Sequence, residues 1–153
     1  MFNLKAEFYL KIIFLFSFIA LISAFFIEYI LGHQPCNLCL IERIPYGLSI
    51  MIIMAIFLIR KNQKFLVMLL ILTFIFSFAI SFYHFGIEQG FFQESSVCGV
   101  KSSTEIVTKE DLLKQLSEKT ISCKDVTFRI FGLSLTSINI VISLLFIITL
   151  LKI

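Results

Sequence analysis

Tryptophan is absent from this 153-residue chain, only 15% of its residues are charged, and it holds just two prolines and two histidines. Scarce charge beside 59% hydrophobic residues and a mean hydropathy of +1.00 excludes an ordinary soluble domain, in which about a quarter of residues are charged. The net charge of +3 is scattered, without basic runs or interleaved aromatics, which excludes a nucleic-acid-binding surface. Two histidines, His33 and His84, without a second pair across a bilayer make a poor haem-based electron path.

Long apolar runs are what the chain does have. Ile12 to Leu31, Leu40 to Ile59, Phe65 to Phe85 and Ile130 to Leu151 are each long enough to cross a hydrocarbon core of roughly 30 Å, which takes about 20 residues. They predict an all-α membrane protein: one domain over residues 1–153, built as a four-helix bundle. The first run exceeds the roughly 7 to 15 apolar residues of a signal peptide, and no A-x-A site follows it, so it is expected to stay.

Lys5, Lys11, Arg60, Lys61, Lys64 and Lys152 gather at the chain ends and the turn between the second and third runs, against the single acid Glu7. The positive-inside rule therefore puts both termini in the cytoplasm, and the loops Gly32 to Cys39 and Gly86 to Arg129 outside. The longer loop mixes both charge signs. Within it, "TKEDLLKQLSEK" carries a cap-like Thr108 with Asp111 three residues on, and Leu112, Leu113 and Leu116 share a face, predicting a short amphipathic helix on the bilayer surface, over the mouth of the bundle, or solvated in the loop.

All four cysteines fall on the outer side: Cys36 and Cys39 in "QPCNLCLIERIPY", Cys98 and Cys123 in the long loop. Outside the cytoplasm thiols can be oxidised, and although four cysteines allow three connectivities, spacing favours 36 with 39 and 98 with 123. Convergence of four thiolates on a metal competes poorly with disulfides there, so no metal site is expected. A structural disulfide usually closes a long loop, whereas Cys36 and Cys39 close almost nothing. A Cys-x-x-Cys pair opens and closes without rearranging the chain, which suits redox cycling. Cys98 and Cys123 enclose a polar loop and fit either a structural bond or a relay, in which exposed cysteines meet another protein's thiolate.

Because the second helix needs its length to span, it should begin near Cys39 and kink at Pro45, placing Cys39 at a helix N-terminus that favours thiolate. Arg43, four residues on, is positioned to lower the Cys39 pKa and to hold a carbonyl oxygen at the interface. Glu42 reads as an interfacial anchor or as a partner of Arg43, and Glu28 as a snorkelling side chain.

These residues resemble the DsbB-type disulfide bond oxidases of bacterial inner membranes. The resemblance spans nearly the whole chain: "QPCNLCLIER" at the second helix, "YHFGIEQGFF" closing the third, Cys98 and Cys123, and "FGLSLTSINI" opening the fourth. It implies that the thiolate of a reduced periplasmic, DsbA-like thioredoxin-fold oxidase forms a mixed disulfide at Cys98, that Cys123 pairs transiently with Cys36, and that Cys39 faces ubiquinone or menaquinone beside Arg43. It further implies a quinone-proximal position for His84, for which an interfacial histidine without a role is the alternative. Phe91, Phe92 and Phe128 stand where Trp is common in that family, which bears on quinone affinity and loop anchoring. A vitamin-K-epoxide-reductase-like enzyme would carry its quinone-facing pair in a late helix, not at the start of the second. The other class of reading is a disulfide-stapled membrane protein without turnover.

Overall fold

A computed structural model describes residues 4–59, 62–93, 98, 123, 129–130 and 133–152. Among these residues the chain forms four helices: α1 Leu4–Tyr29, α2 Asn37–Leu58, α3 Gln63–Glu88 and α4 Leu135–Leu151. A two-residue antiparallel pair, β1 Arg129–Ile130 with β2 Leu133–Ser134, precedes α4. The amphipathic helix expected around Leu112 and Leu116 lies outside the described residues, as does Phe128.

α1, α2 and α3 are long and apolar enough to cross a membrane, and α4 is a shorter apolar helix. This is an all-α membrane bundle. Helix limits differ from the apolar runs for local reasons. α1 starts eight residues before Ile12, because helix continues through Lys5 and Glu7 beyond the apolar core. α4 starts at Leu135 rather than Ile130, because Ser134 is an extended N-cap whose side chain accepts from the Ser137 N–H. α2 starts at Asn37 and runs on through Pro45, which cannot donate the helical bond to Ile41.

Buried positions recur at helical spacing. Val67, Leu70, Phe74, Ser77, Ser81 and His84 make one stripe along α3, facing Thr136, Asn139, Ser143, Phe146 and Leu150 on α4. α3 packs between α4 and α2, and α1 packs on α2. One half of the interior is apolar: Leu10, Ile13, Ile53, Ile56, Leu70 and Phe74 are buried, and Phe74 meets Phe146 edge-on at 5.0 Å. Small hydroxyl residues draw the helices together further along, with Ser49 donating to Ser17 at 3.0 Å and Ser143 to Ser77 at 3.1 Å. Large apolar side chains such as Phe18, Met51, Phe76 and Leu145 cover the outside, as lipid contact demands.

The end of α3 fixes the approach to the site. Gly90 adopts φ +79, and the Phe91 and Phe92 N–H groups turn back to the Gly86 carbonyl at 2.8 and 3.1 Å. The Phe92 ring then lies so close that a Cβ on Gly86 would sit 2.1 Å from it.

Candidate functional site

Cys36 caps α2. Its extended backbone lets Sγ accept the Cys39 N–H at 3.3 Å, and the two sulfurs lie 2.7 Å apart. The helix N-terminus therefore favours negative charge on Cys36, where the sequence had pointed to Cys39. The hydrogen bond from Cys39 is the largest influence holding the Cys36 thiol well below its ordinary range; burial opposes it, and His84 adds to it. His84 Nε2 is 3.6 Å from Cys36 Sγ.

Cys98 and Cys123 are both buried, packed with Cys36, Leu38 and Ile87 in one cluster at this end of the bundle. The sequence places them in an exposed loop, whereas the apolar surface of Leu38 and Ile87 packs over them. Burial, then contact with Cys98, pushes the Cys123 thiol up. Cys36, Cys39 and His84 also bring possible ligand atoms within 4.8 Å of one another. Thiolates about 2.3 Å from one tetrahedral zinc stand roughly 3.8 Å apart, so the 2.7 Å sulfur contact suits sulfur–sulfur exchange better than chelation.

Cys39 opens on the other side, into a cavity of about 350 Å³ between α1, α2 and α4. Phe16, Ile19, Ala20, Ile27, Leu135, Ile138 and Ile142 supply apolar walls, while Cys39, Arg43, Glu42, Tyr46 and Asn139 bring polar groups. An apolar pocket with a few convergent polar groups, at the small end of ligand-site sizes, suits a flat hydrophobic ring bearing oxygens. Arg43 donates to Glu28 on α1 and lies 5.3 Å over the Phe25 ring. Glu28 is thus an ion-pair partner, not a snorkelling side chain.

Glu42 and His84 correct the sequence reading most. Glu42 is buried, neither anchored in the interface nor paired with Arg43: Oε1 meets His84 Nδ1 at 3.0 Å, and Oε2 accepts from Asn139 Nδ2 at 3.2 Å. His84 is buried too, on the Cys36 side, and does not line the cavity. Asn139 and Tyr46, which hydrogen-bond to each other, escaped sequence reasoning. The available signal was a lone amide in the apolar run "SINIVIS", since polar groups inside membrane helices are costly and so tend to be functional.

Fold and site together define a multi-pass membrane protein whose thiols gather at one end of the bundle, one of them opening on an apolar cavity. The chain matches the family described as disulfide bond formation protein DsbB over residues 6–153, and it belongs to that family. Disulfide bond formation is accordingly its field of action. It is also 32% identical over 130 residues to "Uncharacterized protein RP370" of Rickettsia prowazekii (strain Madrid E), covering 84% of this chain and 76% of that protein.

Proposed function

We propose that this protein is a thiol:quinone oxidoreductase of the bacterial inner membrane, with both termini cytoplasmic and its cysteines periplasmic. It reoxidises a DsbA-like thioredoxin-fold oxidase, passing electrons from Cys98 and Cys123 to Cys36 and Cys39 and on to ubiquinone or menaquinone. The observation that carries this reading is that Cys36, Cys98 and Cys123 share one cluster while Cys39, hydrogen-bonded to Cys36, lines an apolar cavity beside Arg43.

The residues divide the work by position. Cys98, once uncovered, receives the partner's thiolate and releases Cys123 as a thiolate. Cys123 lies against Cys36, so its attack on that sulfur needs no large movement. The opposed shifts of Cys36 and Cys123 then set a direction: the sulfur with the lower thiol pKa leaves faster, so a Cys36–Cys123 bond attacked by Cys98 expels Cys36. Ubiquinone or menaquinone, when bound, supplies an acceptor for two electrons and two protons. Arg43 would hold a quinone oxygen through its guanidinium fork, and the apolar walls would exclude water around the ring.

Trapping tests the entry step. Mixed with an oxidised DsbA-type oxidase, whose disulfide the Cys98 thiolate opens, the Cys123→Ser variant is expected to accumulate a mixed disulfide through Cys98. Failure of the adduct to form, or its persistence in a Cys98→Ser, Cys123→Ser double variant, contradicts the assignment.

A further inference from the structure

Neither thiol exchange nor the seating of an apolar oxidant requires a buried carboxylate and a buried imidazole, yet Glu42 and His84 are both nine-tenths buried or more. Each is held at two points. A carboxylate only accepts, so His84 carries hydrogen on Nδ1, which donates to Glu42 Oε1 at 3.0 Å. Nε2 is left facing the Cys36 sulfur at 3.6 Å, free to take a proton from it. Glu88 Oε1 lies 3.9 Å from the same nitrogen, a second carboxyl beside the ring.

Glu42 is fixed in turn by Asn139, whose amide is used at every position. Nδ2 donates to Glu42 Oε2 at 3.2 Å and to Ser81 Oγ at 2.7 Å, while Oδ1 accepts from the Tyr46 hydroxyl and from Ser143 Oγ at 3.5 Å. α2, α3 and α4 each contribute, so the arrangement exists only in the folded bundle. A base beside a thiol, oriented by an acid that is itself held, is the constellation that activates a cysteine.

We propose that Cys36, His84 and Glu42 form a thiol-activating triad in which His84 takes and returns the Cys36 proton, and that Asn139 is the positioning residue that keeps Glu42 aimed at His84. This rests on the exchange role proposed above for Cys36. As Cys36 closes on Cys39, the Cys36 proton passes to His84 Nε2 and the sulfur–sulfur bond forms, with a quinone held beside Cys39 as the group that would accept the two electrons released. When Cys36 later departs from its disulfide with Cys123, Nε2 returns the proton to it. The imidazole therefore stores one proton and adds none to the balance, in which a partner dithiol loses two electrons and two protons and a quinone gains them.

Among the described residues, the groups facing Cys36 are Cys39 and, through the ring, Glu42 on α2; His84 and Glu88 on α3; and Cys98 and Cys123 beyond them. The test is the rate of iodoacetamide labelling at Cys36 in the reduced full-length protein in detergent, resolved by position with mass spectrometry from about pH 5 to about pH 9. At about pH 6 the His84→Gln variant should label at Cys36 about tenfold or more slowly than the unaltered protein, with little difference at about pH 9. Glu42→Gln and Asn139→Ala should shift the profile the same way, Asn139→Ala by less. An unchanged profile in His84→Gln overturns the triad.

Should these variants fail to fold, the ¹⁵N resonances of His84 in the unaltered protein decide. Nε2 gaining hydrogen when Cys36 forms its thiolate supports the triad, and identical His84 resonances in the reduced and oxidised protein overturn it. Quinone-dependent turnover measured on the same preparation keeps the two readings apart. Absent turnover with a His84-dependent profile removes the quinone reading alone, and turnover with a His84-independent profile removes the triad alone.

Discussion

Arg43 on α2 donates to the Glu28 carboxylate on α1, while its guanidinium carbon lies 5.3 Å above the Phe25 ring. The cation on the cavity wall is thereby neutralised and held flat by two neighbours from another helix. Arg43→Lys should raise KM for a quinone analogue about tenfold, roughly 1.4 kcal/mol of binding, because an ammonium keeps the charge and loses the planar fork. Glu28→Gln should move KM less than Arg43→Lys does. Steady-state kinetics with the quinone varied checks both, and an unchanged KM in Arg43→Lys would remove Arg43 from the binding site.

Phe74 is fully buried and touches both Tyr46 and Phe146. Phe74→Ala should destabilise the bundle by about 3–5 kcal/mol, whereas Phe76→Ala, on the exposed side of the same helix, should stay within about 0.5 kcal/mol. Unfolding in detergent by circular dichroism measures the difference.

Gly86 has no room for a side chain while the Phe92 ring is where it is. Gly86→Ala should cost about 1–3 kcal/mol, and adding Phe92→Ala should restore most of it. Strict additivity in the double variant would mean that the ring is not what excludes the methyl group.

The reduced protein should respond to pH in a way the oxidised one does not. Cys36 is pulled from the ordinary thiol value of 9.0 down to about 4, so its contribution to folding is complete above pH 9 and fades as pH falls toward 4. Cys123 has the opposite sign: its raised pKa contributes below the ordinary value and is lost as pH climbs past it. In the oxidised protein neither sulfur titrates. The melting temperature of the reduced protein, relative to the oxidised one, should therefore fall as pH drops from about 8 to about 5. A constant difference over that range would contradict the Cys36 assignment.

The bundle was legible because membrane helices announce themselves by composition, and the Cys36–Cys39 pair because its spacing is local. What the sequence concealed depends on helices meeting. Glu42 stands beside Arg43 in the chain, yet on a helix successive residues point to different faces, and Glu42 turns to His84 and Asn139 while Arg43 turns to Glu28. The burial of Cys98 was equally hidden, since Leu38 and Ile87 come from two other elements. Ser134 could have been read as the start of α4, being a capping residue before an apolar run.

Quinone-dependent turnover tests the electron path most directly: purified protein in detergent, a reduced DsbA-type oxidase, and ubiquinone and menaquinone analogues followed by absorbance, beside the Cys39→Ser variant. Quinone reduction should match partner oxidation one to one and vanish in the variant. Absence of turnover with both quinones and several partners, in a protein whose cysteines are oxidised and unreactive, would contradict that path and leave a stapled membrane protein.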